Sequence, residues 1–170
     1  MVLLVQYTLI FASVLALVAL GGCFSEHSGV INIGLEGIMV MGALGGALAM
    51  KFLPATTPGI VLFILIVLAS VLVGMAFSLL LGFAAIHFNA DQTLVGTALN
   101  LMGTAAAVVI VRAINVAENP DNVSSTVVYR QAKQVFLVKI GDFEFNWFML
   151  IIVLAIIASH IVLYLSLIHI

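Results

Sequence analysis

Polar side chains in two apolar stretches are the residues of this sequence that could do chemistry. The run SGVINIGLEG holds Asn32 and Glu36, and the run DQTLVGTALN holds Gln92 and Asn100. In apolar surroundings a carboxylate such as Glu36 must meet a partner, take up a proton or line water, because an isolated buried charge is costly. An amide side chain can bind a polar solute or a neighbouring helix. These four residues are therefore the candidates for contact with a small polar solute.

A structural explanation competes with the functional one for two of these residues. Glu36 could be an acid in the first turn of a helix, where a negative charge complements the helix dipole. Asn100 lies with Gly96 and Thr104 on one helix face at a spacing of four, and it could form only an interhelical hydrogen bond. For both residues the two interpretations remain open.

Several kinds of active site are excluded by missing motifs. The sequence has no GxxxxGK[ST] phosphate loop, no HExxH, no CxxC and no histidine cluster at metal-ligand spacing. Ser25, Glu26 and His27 are adjacent, but successive side chains point in different directions, which argues against a nucleophile relay. The single cysteine, Cys23, cannot form an internal disulfide. We therefore expect no catalytic residues, no metal and no cofactor.

Composition places the chain in a membrane. Hydrophobic residues make up 65% of the 170 residues and charged residues only 7%, whereas soluble domains carry about 25% charged residues. Such a chain cannot cover itself with polar surface, so lipid is the solvent that suits it. Five basic residues against seven acidic ones give a net charge of -2. Without a basic cluster, nucleic acid is excluded as a partner.

The charged residues divide the chain into apolar spans. We predict an all-α polytopic membrane protein with about five transmembrane or partly re-entrant helices. Asp91 should cap the fourth of them. An exposed loop over residues 113–146 should precede the last span, and the alternation in GDFEFNW predicts a short strand or an interfacial turn within it. The predicted spans cover residues 1–24, 34–50, 59–86, 92–112 and 147–164.

The second span is too short for an ordinary crossing. The run from Gly37 to Met50 has only 14 residues before Lys51, and as a helix it would reach about 21 Å of a hydrocarbon core about 30 Å thick. Either this helix is broken or re-entrant, or the preceding GVINIGLE also lies at membrane depth. Irregular backbone at that depth requires protein or a watery cavity around it.

Small residues at regular spacing predict close helix packing. Gly42 and Gly46 form a GxxxG face on the short second helix, and Gly74, Ser78 and Gly82 form a stripe at a spacing of four on the third. The stripe indicates packing against a neighbouring helix, not chemistry.

The last six residues, LSLIHI, match one reading frame of a common sequencing-library adapter. We therefore expect residues 165–170 to be a non-native tail and the natural sequence to depart from this one near Tyr164.

Two runs of the sequence resemble a known family. The runs ALGGCFSEHSGVINIGLEGIMVMGALGGAL (residues 19–48) and ADQTLVGTALNLMGTAAAVVIVRAI (residues 90–114) are similar to ABC transporter permeases of the branched-chain amino acid and simple-sugar superfamily. The nucleoside or simple-sugar branch is the part of the superfamily that they resemble most. The two runs occur in the order that the family shows.

The resemblance implies a fold, partners and a location. It implies part of a type II ABC importer permease in the plasma membrane, which pairs with a second permease subunit as a homo- or heterodimer. It also implies an extracytoplasmic solute-binding lipoprotein and cytoplasmic ABC ATPase subunits, so this chain would be no enzyme itself. The solute would be a nucleoside, a simple sugar or a similar small polar molecule. The family's coupling loop would follow residue 164, where LSLIHI stands, which predicts an N-terminal fragment.

Alternatives remain open for the orientation of the chain in the membrane and for its transport mechanism. The resemblance places the loop over residues 113–146 outside the cell, whereas the basic residues near that loop and Lys51 would place it in the cytoplasm by the positive-inside rule. By simple alternation Lys51 and that loop share one side. A fragment of an ion-coupled secondary transporter or channel, with Glu36 as a proton or cation site, is the rival function.

Overall fold

A computed structural model describes residues 2–54, 56–127, 137–140 and 143–162 of the chain. Four of its helices contain stretches long and apolar enough to cross a membrane. The predicted helical membrane fold is confirmed, and two short strands interrupt it before the last helix. The elements are α1 (Val2–His27), α2 (Leu35–Phe52), α3 (Gly59–His87), α4 (Gln92–Glu118), β1 (Leu137–Ile140), β2 (Phe143–Asn146) and α5 (Trp147–His160).

Most helix boundaries lie within a few residues of the predicted ones, but α4 is longer than expected. It continues six residues past Arg112 to Glu118, so the predicted loop over residues 113–146 begins too early. The physical reason is Asn115, which is only 2% exposed and is hydrogen-bonded, so this part of the chain is packed against protein. The end of the predicted fifth span and the predicted tail over residues 165–170 lie outside the described residues.

One compact unit comprises residues 1–30 and 134–170. Within it α1 contacts α5, and β1 pairs with β2 as an antiparallel hairpin in which Ile140 lies opposite Phe143. Of the two alternatives that GDFEFNW predicts, a short strand or an interfacial turn, the strand is observed, at residues 143–146. After α1 the chain turns at Gly29, whose φ of 80° lies in the left-handed region that favours glycine. The Ser25 hydroxyl closes this turn by donating to the Val30 carbonyl at 2.8 Å.

The second compact unit comprises residues 31–133 and contains α2, α3 and α4. Helix α2 contacts both α3 and α4. Phe77 and Leu81 from α3 form a buried apolar cluster of this unit with Leu99 from α4. Asp91 accepts a hydrogen bond from the Leu94 N–H at 2.9 Å, which confirms the predicted cap of α4. This cap fixes where α4 begins.

Glycines let α2 approach α3 closely. A Cβ atom built on Gly45 would lie 2.7 Å from the Val73 Cγ2 atom, and one built on Gly46 would meet the Ser70 hydroxyl. Gly42 faces Gly74, with a built Cβ 3.9 Å from the Gly74 Cα. Contacts of this kind bring the two backbones together and increase van der Waals packing.

Glycines also bring α2 against α4, and the two helices run parallel. A Cβ on Gly103 would lie 2.9 Å from the Gly37 Cα, and a Cβ on Gly37 would lie 2.9 Å from the Asn100 Cα. Fourteen residues further along α2, Lys51 reaches Asn115 near the end of α4. Lys51 therefore lies on the same side as the end of α4, as simple alternation of the spans requires.

We expect Gly37→Ala and Gly82→Ala to have opposite effects on stability. A Cβ on Gly37 collides with the backbone of α4, whereas a Cβ on Gly82 lies more than 4 Å from every neighbour in the described part of the chain. Gly37→Ala should lower the free energy of unfolding by about 1–3 kcal/mol. Gly82→Ala should leave it unchanged or raise it by up to about 1 kcal/mol. Thermal melting in detergent, followed by circular dichroism, measures both, and equal melting temperatures would contradict the close approach.

Candidate functional site

Residues 31–34 form a non-helical segment just before α2, beside the first turns of α4. The Ile31 N–H donates to the Gln92 Oε1 atom at 3.0 Å. A Cβ built on Gly34 would lie 3.4 Å from the Gly96 Cα. The two glycines let the segment lie flat on α4, where a helix with its side chains would not fit. Before α2, the backbone of residues 31–34 therefore contacts α4 directly.

Asn100 connects the two sides of this break. Its Oδ1 atom accepts a hydrogen bond from the Gly37 N–H at 2.7 Å, and its Nδ2 atom donates to the Ile33 carbonyl at 2.9 Å. The first N–H groups of a helix have no partner within it, and in lipid an unsatisfied backbone group costs several kcal/mol. The Asn100 amide satisfies one such donor and one non-helical acceptor.

The position of Asn100 along α4 indicates the depth of its contacts with Ile33 and Gly37, whereas Gln92, which holds Ile31, is the first residue of the helix. The helix has 27 residues, so at 1.5 Å per residue it is about 40 Å long, and Asn100 lies about 12 Å from its start. With α4 centred across a hydrocarbon core about 30 Å thick, Asn100 is inside that core. Ile31 and Ile33 are exposed within the described residues, so at this depth the segment would need further protein or a watery cavity beside it.

Glu36 opens into a groove next to the break. It lies in the first turn of α2, is exposed within the described residues, and shares the groove with Asn100 and Thr104. Leu101, Val108 and Val109 make much of the remaining wall apolar. Position in the first turn also complements the helix dipole, so the two interpretations of Glu36 are compatible with each other. A carboxylate beside polar groups on an otherwise apolar wall can orient a polar solute.

Asn32 is the unsatisfied polar group of the segment. Its Oδ1 atom is buried and has no hydrogen-bond partner in the described part of the chain. The residues on either side are held in place, because Ile31 bonds to Gln92 and Ile33 bonds to Asn100. Buried carbonyl oxygens are nearly always paired, so an unpaired one needs an explanation. A water molecule or a hydroxyl or amino group of a solute would supply the missing donor.

The structure brings the four predicted solute-contact residues together at one end of α2 and α4. Gln92 and Asn100 hold the segment that contains Asn32, and Glu36 follows directly. Within the described ranges, no three His, Cys, Asp or Glu side chains gather closely enough to hold a metal ion.

The predicted packing residues lie elsewhere, and they do not all make contacts. Gly42, Gly46 and Gly74 lie where α2 meets α3. The Ser78 hydroxyl donates to the Met75 carbonyl of its own helix. A Cβ on Gly82 would meet no neighbour among the described residues.

A second polar cluster, at the other end of α2, was not predicted from the sequence. The Lys51 Nζ atom lies 2.9 Å from the Glu118 Oε2 atom and 3.3 Å from the Asn115 Oδ1 atom. From the sequence alone, Lys51 marks only the end of a predicted span, and Asn115 falls in the predicted exposed loop. Its partners lie more than 60 residues away in the sequence, and the one local signal is a basic residue in the last turn of a short helix.

Comparison with known proteins gives matches to permeases. The family described as "Branched-chain amino acid transport system / permease component" matches residues 4–167. The Guanosine ABC transporter permease protein NupQ of Bacillus subtilis (strain 168) is 45% identical over 116 residues, which cover 66% of this chain and 35% of NupQ. The Nucleoside ABC transporter permease protein NupC of Lactococcus lactis subsp. cremoris is 36% identical over 110 residues, which cover 65% of this chain and 34% of NupC. The chain thus spans about a third of the length of these relatives, and no solved structure matches it significantly.

The family match includes both polar runs that build the candidate site. An integral permease needs helices that cross a membrane, and the described residues contain four that are long and apolar enough. The resemblance predicted from residues 19–48 and 90–114 is confirmed, and so is the predicted multi-pass location in the plasma membrane. With nearly its whole length matched, the chain belongs to the ABC transporter permeases of the branched-chain amino acid transport family.

Proposed function

We propose that this chain forms part of the translocation pathway of an ATP-driven importer for a nucleoside or a similar small polar solute. The observation that carries the proposal is the non-helical segment over residues 31–34, held on α4 by Gln92 and Asn100, with Glu36 open to the groove beside it. Transporters place solute contacts at broken helices near the middle of the membrane. The similarity to permeases named for guanosine and nucleosides supports the solute class.

Each polar group has a role in this proposal. Asn100 and Gln92 hold the backbone of the break. The unpaired Asn32 Oδ1 atom offers an acceptor to a hydroxyl or amino group of the solute. The Glu36 carboxylate offers a second acceptor in the groove. A nucleoside carries both kinds of donor, on its ribose and on its base, so two acceptors at one break suit it.

The partners in the proposal follow from the family. Two cytoplasmic ABC ATPase subunits would supply the energy, since the sequence contains no phosphate loop. A second permease subunit, identical or different, would complete the pathway, and an extracytoplasmic solute-binding lipoprotein would deliver the solute.

Uptake by proteoliposomes tests the function. The permease that contains this chain is reconstituted with its ATPase subunits and binding protein, and uptake of labelled guanosine is measured with ATP, without ATP, and with a proton or sodium gradient alone. Uptake that requires ATP and is reduced by excess nucleoside but not by glucose supports the proposal. Uptake driven by the ion gradient without ATP would contradict it and favour a secondary transporter.

We expect Glu36→Gln and Asn32→Ala to lower uptake more than protein abundance. Asn32→Ala removes a solute acceptor, and Glu36→Gln replaces a charged acceptor with a neutral amide oxygen. A loss of about 0.5–1.5 kcal/mol in either case should lower the apparent affinity roughly two- to tenfold. Glu26→Gln is the matched control, because Glu26 is an exposed acid in the last turns of α1. Uptake and membrane abundance are measured on the same samples, and parallel loss of both would show that Glu36 and Asn32 only support the fold.

Asn100→Leu should behave differently, with a large loss of abundance. The substitution keeps the side-chain volume but leaves the Gly37 N–H and the Ile33 carbonyl without partners. Each unsatisfied group costs about 1–3 kcal/mol. Thr104→Val is the control, because the Thr104 hydroxyl bonds only to the Asn100 carbonyl of its own helix. Immunoblotting of membrane fractions measures abundance, and a normal level of Asn100→Leu would contradict the role of Asn100 at the break.

A further inference from the structure

The polar cluster at the far end of α2 joins three parts of the unit formed by residues 31–133. Lys51 comes from the last turn of α2, and Asn115 and Glu118 come from the last turns of α4. The Asn115 Nδ2 atom donates to the Ser124 and Thr126 carbonyls at 2.9 and 3.0 Å. We call Lys51, Asn115 and Glu118 the register cluster.

Because Lys51 is buried, the cluster is stable only if the ammonium group keeps its partners. The Lys51 side chain is only 8% exposed, whereas that of Glu118 is 55% exposed. A buried ammonium group must keep its partners, because removing one leaves an uncompensated charge. If α2 moved by one turn along α4, about 5.4 Å, Lys51 would lose its contacts with both the Glu118 carboxylate and the Asn115 Oδ1 atom.

The orientation of the Asn115 amide is fixed independently of Lys51. Both Nδ2 hydrogens are used by the two backbone carbonyls, so the Oδ1 atom has to face the end of α2. Asn115 is therefore a fixed acceptor on α4 to which Lys51 must come. An acceptor that cannot turn specifies one position of its donor along the helix.

The rest of the α2 and α4 interface does not specify the position so strictly. Its closest approaches involve glycine, at Gly37 with Gly103 and at Gly34 with Gly96. Beside the glycines, Ile38 and Met41 of α2 pack against the apolar cluster that includes Leu99 of α4. Apolar contacts of this kind are non-directional, so they tolerate small shifts better than a hydrogen bond does. Buried polar pairs are known to set register between helices where apolar contacts leave it open.

The two ends of α2 have matching geometry. Asn100 holds Gly37 at one end, with partners 63 residues apart, and Asn115 holds Lys51 at the other, with partners 64 residues apart. At 1.5 Å per residue, the contacts are separated by about 21 Å on α2 and about 22 Å on α4. A shift that breaks one contact therefore breaks the other.

We propose that Lys51, Asn115 and Glu118 are positioning residues that set the register of α2 along α4 and thereby keep Gly37 at the Asn100 amide, about 21 Å away. The proposal concerns the geometry of the break, whatever solute crosses there. Its test does not use transport, so it can fail or succeed independently of the proposed function.

Hydrogen–deuterium exchange of the complete permease in detergent tests this inference. Peptides over residues 31–38 report the Gly37 amide, and peptides over residues 48–54 report the cluster itself. Lys51→Met should raise exchange in both regions, by about tenfold at residues 31–38, because a hydrogen bond to a charged group is lost. Arg112→Met is the matched control, since it removes a positive charge from an exposed position of α4 outside the cluster, and it should leave residues 31–38 unchanged.

Two further variants keep the test decisive. Lys51→Arg retains the charge and its donors, so exchange at residues 31–38 should return to the native level. If Lys51→Met does not accumulate, Glu118→Gln removes only the more exposed partner and should give a smaller rise in the same region. A rise confined to residues 48–54, or an equal rise in Lys51→Arg and Lys51→Met, would overturn the proposal.

Discussion

Two hydrogen bonds join the Asn100 side chain of α4 to the backbone before and within α2, one at Ile33 and one at Gly37. They stabilise the end of the helix pair where the four candidate solute-contact residues lie. Lipid offers no partner to a free N–H or carbonyl group, so a span can be interrupted only where protein supplies both. Asn100 supplies a donor and an acceptor at once, and Gln92 supplies another acceptor, to Ile31 at the start of the segment. Without these side chains, residues 31–34 would have to become helical or leave the membrane.

Glycine and amide residues have complementary parts in this arrangement. The glycines remove the atoms that would keep the segment and α2 away from α4, and the amides then act over the short distances that result. Gly37 takes part in both kinds of contact. Its missing Cβ allows contact with Leu99, and its N–H donates to the Asn100 side chain. The break is thus specified by pairs of residues on two elements, not by the composition of residues 31–34 alone.

Local features of the chain were predictable from the sequence, and pairings between distant residues were not. The cap at Asp91 depends on residues three positions apart. The expected shortness of the second span was wrong, because α2 begins at Leu35 and continues through Lys51 to Phe52, which gives it 18 residues. The strand at residues 143–146 follows from its alternation. By contrast, the partners of Lys51 depend on how two parallel helices align, and no hydropathy pattern encodes that alignment. The same reason explains why Asn115 was expected in a loop: an isolated asparagine near charged residues resembles surface until its partners are known.

The two polar ends of α2 also constrain the length of the chain between them. A helix advances by 1.5 Å and rotates by about 100° with each residue, so deleting one residue between Gly37 and Lys51 would turn the lysine away from α4 while Gly37 stayed in place. Substitutions along the lipid-facing side of this helix can conserve both contacts, but insertions and deletions cannot. The number of residues from Gly37 to Lys51 should therefore remain constant among related proteins, whereas residues on the exposed side of the helix can vary.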